Sequence, residues 1–102
     1  MVNFIRISDV VNSTSFNKDG EIIFDLVKTA LLNNQQVTVS FEGIYALNTS
    51  FVNSAFIELL EHFSFDEIKN NLKFVDSTKQ INSIIGKRFI DTVTKNELLA
   101  TM

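Results

Sequence analysis

Residues 37–63, VTVSFEGIYALNTSFVNSAFIELLEHF, decide the fold of this chain because their hydrophobic period changes partway along the segment. The first five residues, VTVSF, alternate apolar and polar side chains, which is typical of a strand buried on one face. From Phe51 onward the apolar residues recur at spacings of three and four, which predicts one amphipathic helix. The apolar stripe of that helix consists of Phe51, Val52, Ala55, Phe56, Leu59, Leu60 and Phe63.

The polar step between this strand and this helix is the first candidate site. Asn48, Thr49 and Ser50 stand where the predicted helix begins. Ser50 is the predicted N-cap, whose hydroxyl accepts a hydrogen bond from an N–H group two or three residues further on. A helix N-terminus also favours an anion. The step is therefore a candidate for a phosphate that is either bound there or attached to Ser50 or Thr49.

The flanking segments continue the alternation of strands and helices. Val10 and Val11 either extend the first strand or form a return edge, and the sequence leaves both open. Asn17 is the predicted cap of the first helix, and Ser64 and Ser77 each begin a capping-box pattern. The expected elements are a strand at 2–7, a helix at 18–32 that stops at Asn33 and Asn34, a strand at 37–41, a helix at 51–63, a short helix after Ser64, a strand at 72–75 and a helix from Ser77 to about Asn96.

This order, β-α-β-α-β-α, predicts an α/β fold with a mainly parallel sheet. In a doubly wound sheet the central strand would be apolar on both faces. Here Thr38 and Ser40 lie on one face, so the helices are expected mostly on the other. At 102 residues the chain is predicted to form a single domain, 1–102.

Composition argues against several classes of function. The formal net charge is −3, and clustered basic residues typical of a nucleic-acid-binding surface are missing, so no nucleic-acid partner is expected. The chain has no cysteine, and neither a membrane-spanning apolar run nor a signal peptide is recognisable. We expect a cytoplasmic protein without membrane attachment. Most of its ten Phe lie on the periodic stripes and are expected in the core.

The sequence offers few groups for catalysis. His62 is the single histidine, and its position near the end of the main helix suits a surface residue, a general base or a cation at a helix C-terminus. It has Glu58 and Glu61 nearby, but a tight transition-metal site generally needs more His or Cys. No phosphate-binding glycine loop is present, and Lys87 with Arg88 forms an isolated basic pair. We predict that the protein is not an enzyme and that it binds neither a metal nor a cofactor.

A protein-interaction surface is therefore the expected site. Ile44, Tyr45 and Leu47 place apolar and aromatic side chains in the loop before Ser50, and Tyr is a residue type enriched at binding hot spots. Ile57 is expected to be exposed among polar residues on the outer helix face, which include Asn53 and Ser54. The predicted partner-binding residues are Ile44, Tyr45, Leu47, Asn48, Asn53 and Ile57.

The segment VSFEGI at 39–44, the Thr-Ser-Phe step at 49–51 and the apolar helix after it resemble a STAS domain, the module named for sulfate transporters and anti-sigma-factor antagonists. The chain is most similar to the small bacterial STAS-like family without an assigned function. In the antagonists the helix-opening step usually reads Asp-Ser-Ser-Gly, and the second serine is phosphorylated. On that match Ser50 takes the place of the phosphorylated serine, whereas Asn48 and Phe51 depart from the pattern.

The resemblance implies a non-catalytic regulatory module that docks a kinase-like ATPase, with phosphorylation at Ser50 releasing or redirecting that partner. Two alternatives belong to other classes. One is a domain that binds a small ligand or an anion at the same helix N-terminus, and the other is a small acidic inhibitor of a partner protein, such as a phage-borne one. The sequence does not fix the oligomeric state.

Overall fold

The computed structural model describes residues 2–14 and 16–100 and contains a three-stranded parallel sheet in the order β1-β2-β3. The predicted single domain also includes Met1, Ser15 and residues 101–102, which lie outside the described residues. In chain order the elements are β1 (Val2–Arg6), α1 (Ile7–Val10), α2 (Asn17–Leu32), β2 (Gln36–Ser40), α3 (Thr49–Ala55), a 3-10 helix (Ile57–Glu61), α4 (Phe65–Asn71), β3 (Leu72–Val75) and α5 (Lys79–Ala100). The predicted α/β class is confirmed.

The two faces of the sheet differ in exposure, as the alternation in β2 predicts, except at Ser40, which is fully buried although Thr38 is only half-buried. On one face Ile5 of β1 lies beside Val39 of β2, and both are buried under the helices. On the other face Phe4, which is 57 % exposed, pairs in register with the half-buried Thr38, and Thr38 pairs with the exposed Lys73 of β3. The helices therefore cover mainly one face of the sheet.

Aromatic side chains form the centre of the core. The ring of Phe56 lies 5.1 Å from that of Phe74, 6.2 Å from that of Phe41 and 6.4 Å from that of Phe51, measured between centroids. Two of these contacts are edge-on, and edge-on aromatic pairs contribute more to stability than the burial of their apolar area alone. Phe41, Phe51 and Phe56 are fully buried, and Phe89 is nearly so. Phe4 and Phe16 are exceptions to the expectation for Phe, because both are more than half exposed.

Helices α2 and α3 approach closely at Gly20. A Cβ atom at this position would lie 2.8 Å from the carbonyl oxygen of Phe51 and 2.8 Å from Cβ of Ser54. Real Cβ atoms essentially never come this near to a backbone oxygen, so only glycine allows this helix crossing. The close packing places α3, and with it the residues around Ser50, at a fixed position against α2.

Several predicted boundaries need correction. Val10 belongs to α1, one turn of helix, and Val11 follows it in extended conformation, so neither proposed strand forms there. Asn17 is the first residue of α2 and does not cap it. The stop after α2 is confirmed, because Asn34 has φ 57°. No helix among the described residues is long and apolar enough to cross a membrane.

The two predicted capping boxes had different outcomes. Ser64 is confirmed as a cap, since its hydroxyl accepts a hydrogen bond from the Glu67 N–H group at 3.1 Å. The cap of α5 lies one residue later than predicted, because Thr78 accepts from the Ile81 N–H group and the Ser77 hydroxyl instead contacts Asn82. Helix α5 also continues past Asn96 to Ala100.

Candidate functional site

The segment after Ser50 forms two short helices rather than the single long helix that the apolar stripe predicts. Helix α3 ends at Ala55, Phe56 has φ −126° and ψ −43°, and the 3-10 helix follows from Ile57. Most of the stripe is confirmed as buried, because Phe51, Val52, Ala55, Phe56 and Leu59 are inaccessible to solvent, while Leu60 and Phe63 are half-buried and pack against the core. Periodicity therefore identified which residues face the core without revealing the break in the backbone.

This break and the crossing at Gly20 overturn two predictions of exposure. Ile57 is 7 % exposed and belongs to the core, because the 3-10 helix turns by about 120° per residue instead of the 100° of an α-helix. Ser54 is 6 % exposed, because it lies against Gly20 where α2 and α3 touch. Neither side chain forms the exposed contact point expected from helical spacing.

The cap of α3 is Asn48 rather than Ser50. The Asn48 side-chain oxygen accepts a hydrogen bond of 2.8 Å from the Ser50 N–H group, and the Asn48 backbone is extended, as an N-cap requires. Ser50 is already helical. Thr49 and Ser50 are both exposed. Ser50 is thus exposed to solvent, and its hydroxyl does not cap the helix.

The loop before Asn48, residues 41–47, is anchored at both ends and in its middle. It turns at Gly43, whose φ of 79° favours glycine, and the Ile44 N–H group donates to the Phe41 carbonyl at 2.9 Å. Thr14 fixes the rest, because its hydroxyl donates to the Ala46 carbonyl at 3.0 Å and its own carbonyl accepts from the Asn48 N–H group at 3.1 Å.

The apolar residues of this loop divide into two groups. Ile44 and Leu47 are half-buried and pack against the core, so they hold the loop in place. Tyr45 is 73 % exposed. The loop therefore presents one aromatic side chain to solvent on a fixed backbone.

A cleft of about 400 Å³ lies between this loop and the segment that follows β1. Both walls come after the carboxyl ends of neighbouring parallel strands, where α/β sheets commonly hold ligands. One wall contains Gly43, Ile44, Tyr45 and Ala46, and the other contains Ile7, Ser8, Val11, Asn12, Ser13 and Thr14. Hydroxyl and amide groups on the second wall give the cleft hydrogen-bonding capacity.

A polar network that the sequence did not reveal joins the carboxyl ends of all three strands. Ser40 is fully buried; its hydroxyl donates to an Asp76 carboxylate oxygen at 2.7 Å and accepts from the Glu42 N–H group at 3.2 Å. The Arg6 guanidinium pairs with Glu42 at 3.0 Å and with Asp9 at 3.3 Å. One sequence signal for this network was Asp76, which directly follows β3. Asp is among the residues that adopt a positive φ most readily, and Asp76 has φ 57°.

One contact connects α3 to the last helix. The Arg88 Nε–H group donates to the Asn53 side-chain oxygen at 3.0 Å, across 35 residues of sequence. Asn53 follows Ser50 by three residues, so the two side chains are neighbours on the half-exposed surface of α3. The predicted site residues thus fall into one group on or beside the loop and α3, from Ile44 to Asn53, with Ile57 outside it in the core.

Among the residues that the structure describes, the ring contacts of His62 are with Phe24 and Phe63. His62 is exposed just after the 3-10 helix, and its ring lies 5.9 Å from that of Phe24. Within residues 2–14 and 16–100, no group of three or more His, Asp or Glu side chains is placed to hold a metal ion. The chemistry available at the candidate site is hydrogen bonding, aromatic contact and modification of a hydroxyl.

Comparison with known protein families gives a match over residues 19–82, more than half of the chain, to a family described as a STAS-like domain of unknown function. The matched region includes β2, the loop at 41–47, α3, α4 and β3. Searches of curated proteins and of solved structures returned no match.

Proposed function

Because the chain belongs to the family of STAS-like domains of unknown function, we propose that it is a non-catalytic regulatory module that docks a protein partner. The docking surface consists of the loop at 41–47 and the exposed residues at the beginning of α3: Ile44, Tyr45, Leu47, Asn48, Thr49, Ser50 and Asn53. The partner is a kinase-like ATPase or a similar regulator.

The observation that carries this proposal is the exposed Tyr45 on a backbone that Thr14 and Gly43 hold in place. Because the backbone is already ordered, covering the aromatic side chain restricts mainly its own rotamers. Loops on a rigid scaffold are also where binding residues concentrate. The half-buried Ile44 and Leu47 attach the loop to the core and expose part of their apolar side chains at the docking surface.

Ser50 is the proposed switch. In the modifying step, Ser50 Oγ forms a bond to the γ-phosphorus of ATP held by the partner, the bond from that phosphorus to ADP breaks, and the hydroxyl proton passes to a base of the partner. The product carries about two negative charges in the middle of the docking surface. Because Asn48 caps α3, this modification leaves the fold intact while it repels or redirects the partner.

Affinity capture from native lysate tests the docking proposal. Wild type, Tyr45→Ala and Ser50→Asp are compared with Phe4→Ala, which also removes an exposed aromatic ring, and Ser83→Asp, which adds the same charge; both controls lie outside the docking surface. We expect a partner retained by wild type and both controls and depleted with Tyr45→Ala and Ser50→Asp. A partner retained equally by all five proteins contradicts the proposed surface.

The cleft beside Tyr45 supports a second candidate function, which is binding of a small polar ligand. Its walls carry Ser8, Asn12 and Thr14 in addition to the aromatic ring. Amide resonances of Thr14 and Gly43 would then shift and saturate on titration with the ligand, and binding would survive Ser50→Asp. The alternatives predicted from the sequence, a small ligand or anion at the N-terminus of α3 and a small acidic inhibitor, stay predictions.

A further inference from the structure

Arg88 is a half-buried cation whose charge is not matched by a carboxylate. In the part of the chain that the structure describes, both ion pairs within 4.0 Å involve Arg6, and none involves Arg88. Its Nε–H group is held by the neutral amide oxygen of Asn53. An arginine guanidinium has five N–H donors, and this contact uses one of them.

The position of Arg88 relates it to Ser50. Asn53 lies three residues after Ser50 on α3, and side chains at this spacing have Cβ atoms about 5–6 Å apart. The guanidinium thus contacts a side chain that is one helical turn from Ser50, whose own side chain is exposed. A phosphate extends the serine side chain and adds three acceptor oxygens, whose geometry an arginine matches with two parallel hydrogen bonds.

We propose that Arg88 is the acceptor for a phosphate on Ser50 and that phosphorylation transfers its guanidinium from Asn53 to that phosphate. This inference rests on the proposed function for the modification itself. It adds a residue from α5 to the switch, so that modification of α3 changes the surface between α3 and α5 as well as the charge at Ser50.

The charges around Arg88 are compatible with this exchange. Arg88, Asp91 and Lys95 line a cleft of about 480 Å³ with Ile57 of the 3-10 helix, so one further cation and one carboxylate share this cleft with Arg88; Ser50 does not line it. A phosphate dianion is a stronger acceptor than the neutral amide oxygen of Asn53, because charge-assisted hydrogen bonds are about twice as strong as neutral ones. Lys87, next to Arg88, is exposed, and in the part of the chain that the structure describes it forms no hydrogen bond or ion pair with α3, which makes it a matched control.

The test uses the full chain phosphorylated at Ser50 and follows its phosphorus resonance by NMR during a pH titration. In wild type the guanidinium favours the dianion, so the titration midpoint is expected at lower pH than in Arg88→Gln. Lys87→Gln is expected to leave the midpoint close to wild type, and Arg88→Lys, which keeps the charge but not the paired donors, is expected between the two. Equal midpoints in wild type and Arg88→Gln overturn the inference.

A second measurement needs no variant and is therefore independent of whether Arg88→Gln folds. The Nε–Hε resonance of Arg88 is compared in wild-type protein with and without the phosphate on Ser50. We expect this resonance to move on phosphorylation while that of Arg6, which is paired with Glu42, stays in place. An unchanged Arg88 resonance contradicts the transfer.

These measurements distinguish failure of this inference from failure of the proposed function. If the phosphate titration depends on Arg88 but Ser50→Asp leaves partner affinity unchanged, the inference stands and the docking switch fails. If Ser50→Asp weakens binding but the titration is the same in wild type and Arg88→Gln, the switch stands and the role of Arg88 is refuted.

Discussion

The segment from Asn48 to Glu61 has a buried side and an exposed side, and the two have different roles. One side, defined by Phe51, Val52, Ala55, Phe56 and Leu59, is closed against the core and against α2. The other side, with Thr49, Ser50 and Asn53, is exposed or half-exposed and continues into the loop that carries Tyr45. The comparison teaches that stability and the proposed docking function reside in different side chains of the same short segment. Substitutions on the two sides should therefore have separable effects.

The largest expected effect on stability is that of Phe56→Ala on the buried side. Phe56 is fully buried and contacts the rings of Phe41, Phe51 and Phe74. Its removal should lower the free energy of unfolding by about 3–5 kcal/mol, because it leaves a cavity among aromatic rings that cannot collapse fully. Urea denaturation of wild type and variant measures this difference. A loss below about 1 kcal/mol would mean that the aromatic cluster is not the centre of the core.

A pair of glycine substitutions tests the close crossing that holds α3 in place. Gly20→Ala should destabilise the protein by about 1–3 kcal/mol, because the new Cβ meets the Phe51 carbonyl oxygen at 2.8 Å and the backbone must shift. Gly86→Ala is the control within a helix, where nothing lies within 4 Å of a new Cβ. It should stabilise by about 0.5–1 kcal/mol through helix propensity. Equal effects of the two changes would argue against the crossing.

The smallest expected stability difference separates Asn48 from Ser50. Asn48→Ala should cost about 1 kcal/mol, because it removes the side-chain oxygen that accepts from the Ser50 N–H group. Ser50→Ala should change the free energy of unfolding by no more than about 0.5 kcal/mol, since this exposed hydroxyl does not cap the helix. Thermal denaturation of both variants gives the comparison. The reverse order would restore Ser50 as the cap.

The sequence predicted the covered side of this segment better than its exposed side. Spacing alone identified Phe51, Val52, Ala55, Phe56 and Leu59 as buried, because burial repeats with the backbone period. The alternation in β2 likewise predicted a sheet covered mainly on one face. Both features repeat with the period of the backbone, so the spacing of apolar residues in the sequence reveals them.

What the sequence missed depends on contacts between distant residues. Ile57 is buried because α3 ends before Phe56, and Ser54 is buried because Gly20 allows α2 to approach it closely. The spacing of apolar residues in α3 reveals neither feature. The Ser40–Asp76 and Asn53–Arg88 hydrogen bonds join residues 36 and 35 positions apart. The predicted caps are wrong by one or two positions in the sequence, because Asn48 precedes Ser50 by two residues and Thr78 follows Ser77 directly.

The most direct test of the central claim is the dissociation constant of the captured partner for wild type, Ser50→Asp and Ser83→Asp, measured together with the thermal stability of each protein. The account predicts that Ser50→Asp weakens binding at least about tenfold, equivalent to about 1.4 kcal/mol, while its stability stays close to that of wild type. Ser83→Asp, which adds the same charge at an exposed position on α5, should bind as wild type does. Equal affinity of all three proteins would contradict the claim that the exposed side of this segment is the docking surface.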